Sequence, residues 1–140
     1  MRILIAVDGS DASLAAVRFV TGTLAQATGE LDIHLLSVQP SLPAAATTFI
    51  DPAVVRDYHR EEGAKALAGA RKLLDDTGLH YESSTATGEP AETIAAYAKQ
   101  RDCDCIVMGT HGFGRAAGFL LGSVGQKVLH LSKVPVTLVK

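Results

Sequence analysis

The sequence predicts an α/β domain built on a doubly wound parallel sheet with helices on both faces. Three observations carry that reading. Five short apolar runs alternate with four longer amphipathic ones, giving the order β-α-β-α-β-α-β-α-β. Apolar residues are 47% of the chain while aromatics are only 5% and Trp is absent, so the interior must be Val, Leu, Ile and Ala. That composition suits a buried parallel sheet covered by Ala-rich helices. The length of 140 residues suits a single domain, 1–140, with one core and no internal repeat or linker.

Residues 2–7 read as the first strand, near-continuously apolar. A turn at Asp8-Gly9-Ser10-Asp11 follows, with Ser10 or Asp11 as N-cap of a helix running to about Ala27. Val17, Val20 and Leu24 share one face of it, and Gly29 closes it. The second strand is expected over 31–38. Residues 39–50 hold two prolines and three consecutive alanines without periodicity, and read as a mobile loop. Asp51-Pro52 has the form of an N-cap and first-turn proline. The helix it starts is expected to reach about Asp76, burying Val54, Tyr58, Ala64 and Leu67, before Gly78 ends it. A third strand is expected over 79–86 and a third helix over 91–101 after Gly88-Glu-Pro90. The fourth strand is 105–108, the fourth helix 124–131 and the last strand 135–139.

One stretch stands out chemically. Gly109-Thr-His-Gly112 is followed, after nine residues, by Gly122-Ser123. It sits between the apolar run ending at Met108 and the helix beginning at Val124, so it is a strand, a glycine-rich loop and a helix start. Glycines let backbone approach a ligand without a Cβ in the way. The N–H groups of a helix start are unpaired and favour an anion. Ser123 adds a hydroxyl donor, and His111 offers its backbone N–H with the ring as a further donor. The guest this suits is a nucleotide phosphate chain.

Other chemistries fail on pattern. The Walker sequence G-x4-G-K-[ST] is absent. Gly112-Phe-Gly114-Arg-Ala-Ala117 fits G-x-G-x-x-A, but it does not follow the first strand and no acidic residue comes after Asp104. Cys103 and Cys105 do not make a zinc site, which needs three or four ligands, and read as small buried residues. The histidines at 34, 59, 80 and 130 lack ligand spacing, and no G-x-S-x-G elbow occurs. Residues 56–65 read as a charged, solvated helix face. No basic stripe interleaved with aromatics speaks for nucleic acid.

The pattern G-x2-G-x9-G-[ST], met by Gly109, Gly112, Gly122 and Ser123, resembles that of the ATP-binding members of the universal stress protein family. The resemblance extends to Ile3-Leu-Ile-Ala-Val-Asp-Gly-Ser10 and to Val134-Pro-Val-Thr-Leu-Val139, and so spans the chain apart from a weakly matching middle. It implies strand order 3-2-1-4-5, the adenine nucleotide alpha hydrolase-like arrangement. In such sheets a ligand sits at the carboxyl ends of strands 1 and 4, where the order reverses. The turns at Asp8-Gly9-Ser10 and Gly109 to Gly112 fall at those ends. By the same resemblance Asp8 lines the nucleotide pocket, holding ribose or a phosphate-bound Mg²⁺; its alternative role is to cap its own turn. Backbone near Ala6, Val7 and Val38 is expected to cup adenine, with Met108 and Val124 completing the site. Gly125 stands where several family members carry a hydroxyl.

Net charge is −2, yet residues 105–140 contain four cations, Arg115, Lys127, Lys133 and Lys140, and no carboxylate. Arg115 and Lys127 either offer a positive field to phosphates or are solvated residues complementing a helix dipole. No apolar run approaches the roughly 20 residues of a membrane span. The amino terminus lacks a signal-peptide layout, and two cysteines do not frame a disulfide scaffold, so a cytoplasmic location is expected. Three functions remain open: a stress-regulatory ATP-binding protein with at most slow hydrolysis, a Mg²⁺-dependent ATPase or nucleotidyl transferase, and a dimeric interaction module that does not use nucleotide. Residues 135–139, four of them apolar and none charged, lie at a sheet edge and are expected to form a symmetric homodimer. Valine at 109 or 122 is expected to abolish nucleotide binding with the fold intact.

Overall fold

Strand β1 (Arg2–Ala6) is apolar on both faces because it lies in the middle of the sheet: Ile3, Leu4 and Ile5 are completely buried. β2 (Asp32–Gln39) and β4 (Cys105–Gly109) flank it in parallel, with Ile5 opposite Leu35 on one side and Val107 on the other. β3 (Tyr81–Thr87) and β5 (Val136–Val139) form the two edges, so the order is β3-β2-β1-β4-β5. The computed structural model describes residues 1–112 and 121–140. The five strands, their order and the all-parallel pairing are those expected.

The two-residue period of the strands divides the interior into two layers. Ile3, Ile5, Ile33, Leu35 and Val107 point to one face, where Val17, Val20, Leu67, Ala70 and Leu74 cover them. Leu4, Leu36, Ile106 and Met108 point to the other, against Ala91, Ile94, Ala98 and Val128. Each fully buried Leu or Ile contributes roughly 1.5–3 kcal/mol, so these two layers dominate stability.

Helix α1 (Asp11–Phe19) is capped by Ser10, not Asp11: the Ser10 hydroxyl accepts from the Ser13 amide at 3.3 Å. The helix runs through a π turn (Val20–Leu24) into α2 (Ala25–Thr28), and Gly29, at φ 75°, ends it. Residues 39–50 are not wholly irregular, since Ala44–Thr47 form a single helical turn, α3. Alanine has the highest helix propensity, and none of the four residues is buried, which is why periodicity gave no sign of it.

Helix α4 (Pro52–Asp75) starts as expected, Asp51 accepting from the Ala53 amide at 2.8 Å. Its buried face is different. Of Val54, Tyr58, Ala64 and Leu67, only Leu67 is buried; Val54 and Tyr58 are 58% and 47% exposed. The inward residues are Gly63, Ala66, Leu67, Ala70 and Leu74. Length explains the difference. A helix of 24 residues spans ~36 Å, whereas the eight-residue β2 spans ~26 Å. The first turns of α4 therefore reach past the strand ends, and no residue of the helix before Gly63 is buried. Helices α5 (Pro90–Gln100) and α6 (Ser123–Leu131) cover the opposite face.

Candidate functional site

The strand order brings the special turns together. β1 leads into Val7-Asp8-Gly9-Ser10, with Gly9 at φ 85°. One Asp8 oxygen accepts from the Ser10 amide at 2.9 Å, so the carboxylate holds the turn that caps α1. β4 leads into the glycine segment, where the Thr110 amide donates to Val139 O at 2.9 Å and the Gly122 amide donates to Thr110 O at 2.8 Å. The second bond folds the chain at 122 back onto 110 and closes the loop at its base. The Ser10 hydroxyl reaches His111 O at 3.5 Å, joining the two turns, and Thr110 Oγ1 lies 2.8 Å from His111 Nδ1.

Between these turns lies a cleft of about 570 Å³. Ala6, Val7 and Asp8 form its floor with Met108 and Gly109; Val38 stands on the β2 side. His111, Gly112, Gly122, Ser123 and Val124 form the wall beyond β4. The structure thus gathers every expected site residue around one cavity except Arg115, which lies outside the described residues.

Each motif glycine has a steric reason. A Cβ on Gly112 would lie 2.6 Å from Asp8 Oδ2, so Gly112 lets the second carboxylate oxygen of Asp8 approach the loop. A Cβ on Gly122 would lie 2.9 Å from Thr110 O, at the loop closure. Gly109 is different: its Cβ would lie 2.5 Å from Ala12 C, 2.7 Å from Ala12 O and 2.8 Å from Ser13 N. It allows β4 to pass against the backbone of α1. A valine there displaces the helix, which corrects the expectation that the fold survives Gly109→Val.

The start of α6 is open to an anion. Gly122 is its N-cap and supplies no side chain, and the helical ladder begins with Gln126 N donating to Gly122 O at 3.0 Å. Among the described residues the preceding amides of Ser123, Val124 and Gly125 donate to no carbonyl, and all three residues line the cleft. Gly125 is buried there, with its nearest neighbour for a Cβ, Leu138 Cδ2, at an ordinary 3.6 Å.

Helix α4 adds Glu62, Lys65 and Ala66 to the cleft lining. Lys65 Nζ donates to Glu62 Oε1 at 2.7 Å and its side chain stays exposed, so the charged face expected over 56–65 is solvated at the open rim of the cleft. That hydrogen bond is the main cause that raises the Lys65 pKa above the ordinary lysine value. Gln39, Pro40, Pro90 and Ile94 complete the walls. Lys127 is also accounted for: its Nζ lies 3.3 Å from Glu89 Oε1, across to the N-cap of α5, and it does not line the cleft. Glu89 accepts from the Glu92 amide, and this bond, with Lys127 beside it, holds its carboxyl below the ordinary range. Among the described residues no group of three or more His, Cys, Asp or Glu is placed to hold a metal ion. Mg²⁺ bound through phosphates needs only one or two carboxylates, and Asp8 fits that lesser demand.

The family model described as "Universal stress protein family" matches residues 1–140. The chain belongs to the universal stress protein family. Universal stress protein YxiE of Bacillus subtilis is 31% identical, over 99% of this chain and 98% of its own length. Among solved structures, MJ0577 of Methanocaldococcus jannaschii is 27% identical with a TM-score of 0.82, covering 99% of this chain and 94% of that one. A universal stress protein in complex with cAMP is 26% identical with a TM-score of 0.70, covering 100% and 97%. Both TM-scores, over essentially the whole chain, mark a shared fold. No described helix is long and apolar enough to cross a membrane.

Proposed function

We propose that the cleft binds an adenine nucleotide and that the protein is a stress-regulatory ATP-binding protein of the cytoplasm. The observation that carries the reading is the coincidence, in one cavity, of the Asp8 turn, the loop residues Gly112 and Gly122 and the uncapped start of α6. Phosphates fit the amides of Ser123, Val124 and Gly125 with the Ser123 hydroxyl; the base fits the apolar end formed by Ala6, Val7, Val38 and Met108. Asp8 faces the ribose or a phosphate-bound Mg²⁺. A relative of similar fold holding cAMP supports the nucleotide class. Calorimetry with AMP, ATP and ATP-Mg²⁺ tests it, together with mass spectrometry of what co-purifies. A folded protein with no measurable affinity for any of the three overturns it.

Slow hydrolysis accompanies this reading. Phosphoryl transfer needs metal, charge neutralisation and a positioned water, and the loop after Gly109 carries no carboxylate to orient one. A homodimer through β5 forms a further part of it. β5 is an edge strand of half-buried Val136, Thr137, Leu138 and Val139, with no charge to block pairing. Antiparallel pairing with a second copy satisfies its backbone under two-fold symmetry. Sedimentation at micromolar concentration should give a dimer that Thr137→Pro shifts toward monomer; a monomeric wild type ends the idea.

A further inference from the structure

A second groove lies at the carboxyl end of edge strand β3, where the overhanging start of α4 faces the 41–47 segment. It also has a volume of about 570 Å³, and no residue that lines it lines the glycine cleft. Arg56, His59 and Arg60 enter it from α4, their spacing placing all three on one helix face. Ser41, Thr47, Thr85 and Thr87 bring hydroxyls from the other side. No carboxylate lines the groove, although acidic residues outnumber basic ones in the chain.

We propose that this groove is a second, separate anion site, for a small phosphate-bearing molecule. The cations and hydroxyls carry the argument. His59 Nδ1 is covered by protein and makes no hydrogen bond among the described residues, so the ring meets the groove through its other atoms. Arg56 makes no ion pair among the described residues, and Arg60 holds only an exposed pair with Asp57 at 3.0 Å, too weak to keep it from an oxyanion. Guanidinium forks match phosphate oxygens in pairs. Leu42, Val55 and Ala86 give an organic body an apolar side. The volume is that of a small-molecule site, not of an extended polymer.

Inorganic pyrophosphate is the probe, titrated into the full chain at constant ionic strength while side-chain NMR follows His59 and the Arg56 and Arg60 Nε–H groups. Amides of Ser123 and Gly125 report the glycine cleft in the same spectra. Saturable shifts at His59, weakened about tenfold or more in the Arg56→Gln/Arg60→Gln double variant, support the site. Both arginines are on the surface, so the variant keeps its fold, and unchanged core resonances verify that. Shifts confined to Ser123 and Gly125 overturn the proposal, as does equal affinity in the double variant. An equal response to chloride reduces the groove to charge screening and overturns it too. Nucleotide binding in the glycine cleft stands or falls separately.

Discussion

Two glycines of the same turn region should respond to alanine with opposite signs. At Gly109 the added Cβ meets three backbone atoms of α1 at 2.5–2.8 Å, against the ~3.5–4 Å of an ordinary carbon contact. Backbone cannot swing aside as a side-chain tip can, so the first turn of α1 must move by about 1 Å relative to β4. Overpacking of this kind costs about 1–3 kcal/mol. For a domain near this size each kcal/mol moves Tm by roughly 2–4 °C, so Gly109→Ala should melt ~2–12 °C lower. The turn that moves carries Ser10, whose hydroxyl reaches His111 O, so AMP affinity should fall as well. At Gly125 the Cβ meets nothing closer than 3.6 Å and lies inside α6, where alanine is better than glycine by about 0.8–1 kcal/mol. Gly125→Ala should therefore melt a few degrees higher. Calorimetric melting of both variants, with and without AMP, decides it. A Gly109→Ala protein as stable as wild type would refute the close-packing argument. A Gly125→Ala protein destabilised as much as Gly109→Ala would show that the space beside Leu138 is not there.

Ser123→Ala should weaken ATP about tenfold to a hundredfold, the cost of one hydrogen bond to a charged group; equal loss for AMP and ATP places the contact on the first phosphate, and no loss rejects it. Hydrolysis should stay below about one turnover per minute, against ~1–10³ per second for ordinary enzymes. A Mg²⁺-dependent rate of several per second, abolished by Asp8→Asn, would establish the ATPase reading instead. Burial pushes the Cys103 thiol up to about 11 from its ordinary 9.0. Its folded-state pKa being raised, the stability it contributes is complete below pH 9.0 and is lost as pH rises toward about 11. Thiol reagents should therefore react with native protein at neutral pH only after denaturant is added, and rapid labelling of native Cys103 would contradict its burial. Asp32 is held below the ordinary carboxyl range by the hydrogen bond from Arg2, so Arg2→Ala should remove a small stabilisation present above pH ~4 and absent in acid. An unchanged acid-side melting curve would show that this exposed pair contributes nothing.

The sequence by itself determined whatever depends on local period and local chemistry. Alternating strand and helix patterns gave five parallel strands, because a strand buried on both faces needs an unbroken apolar run such as Ile3-Leu4-Ile5. Asp51 and Pro52 marked a helix start, and Gly29 and Gly78 marked ends, since caps act within a few residues of themselves. The glycine turns were legible for the same reason. Tertiary structure alone decided the rest. That Glu62 and Lys65 stand at the rim of the cleft depends on which turn of α4 crosses the strand ends, and Val54 and Tyr58 are exposed because that helix outruns the sheet. Gly109 looks like a ligand glycine in sequence, but its Cβ would strike Ala12 and Ser13, nearly a hundred positions away along the chain. Lys127 meets Glu89 only because α5 and α6 pack side by side on one face. Such contacts are set by the lengths and register of elements far apart in sequence, and no local pattern records them.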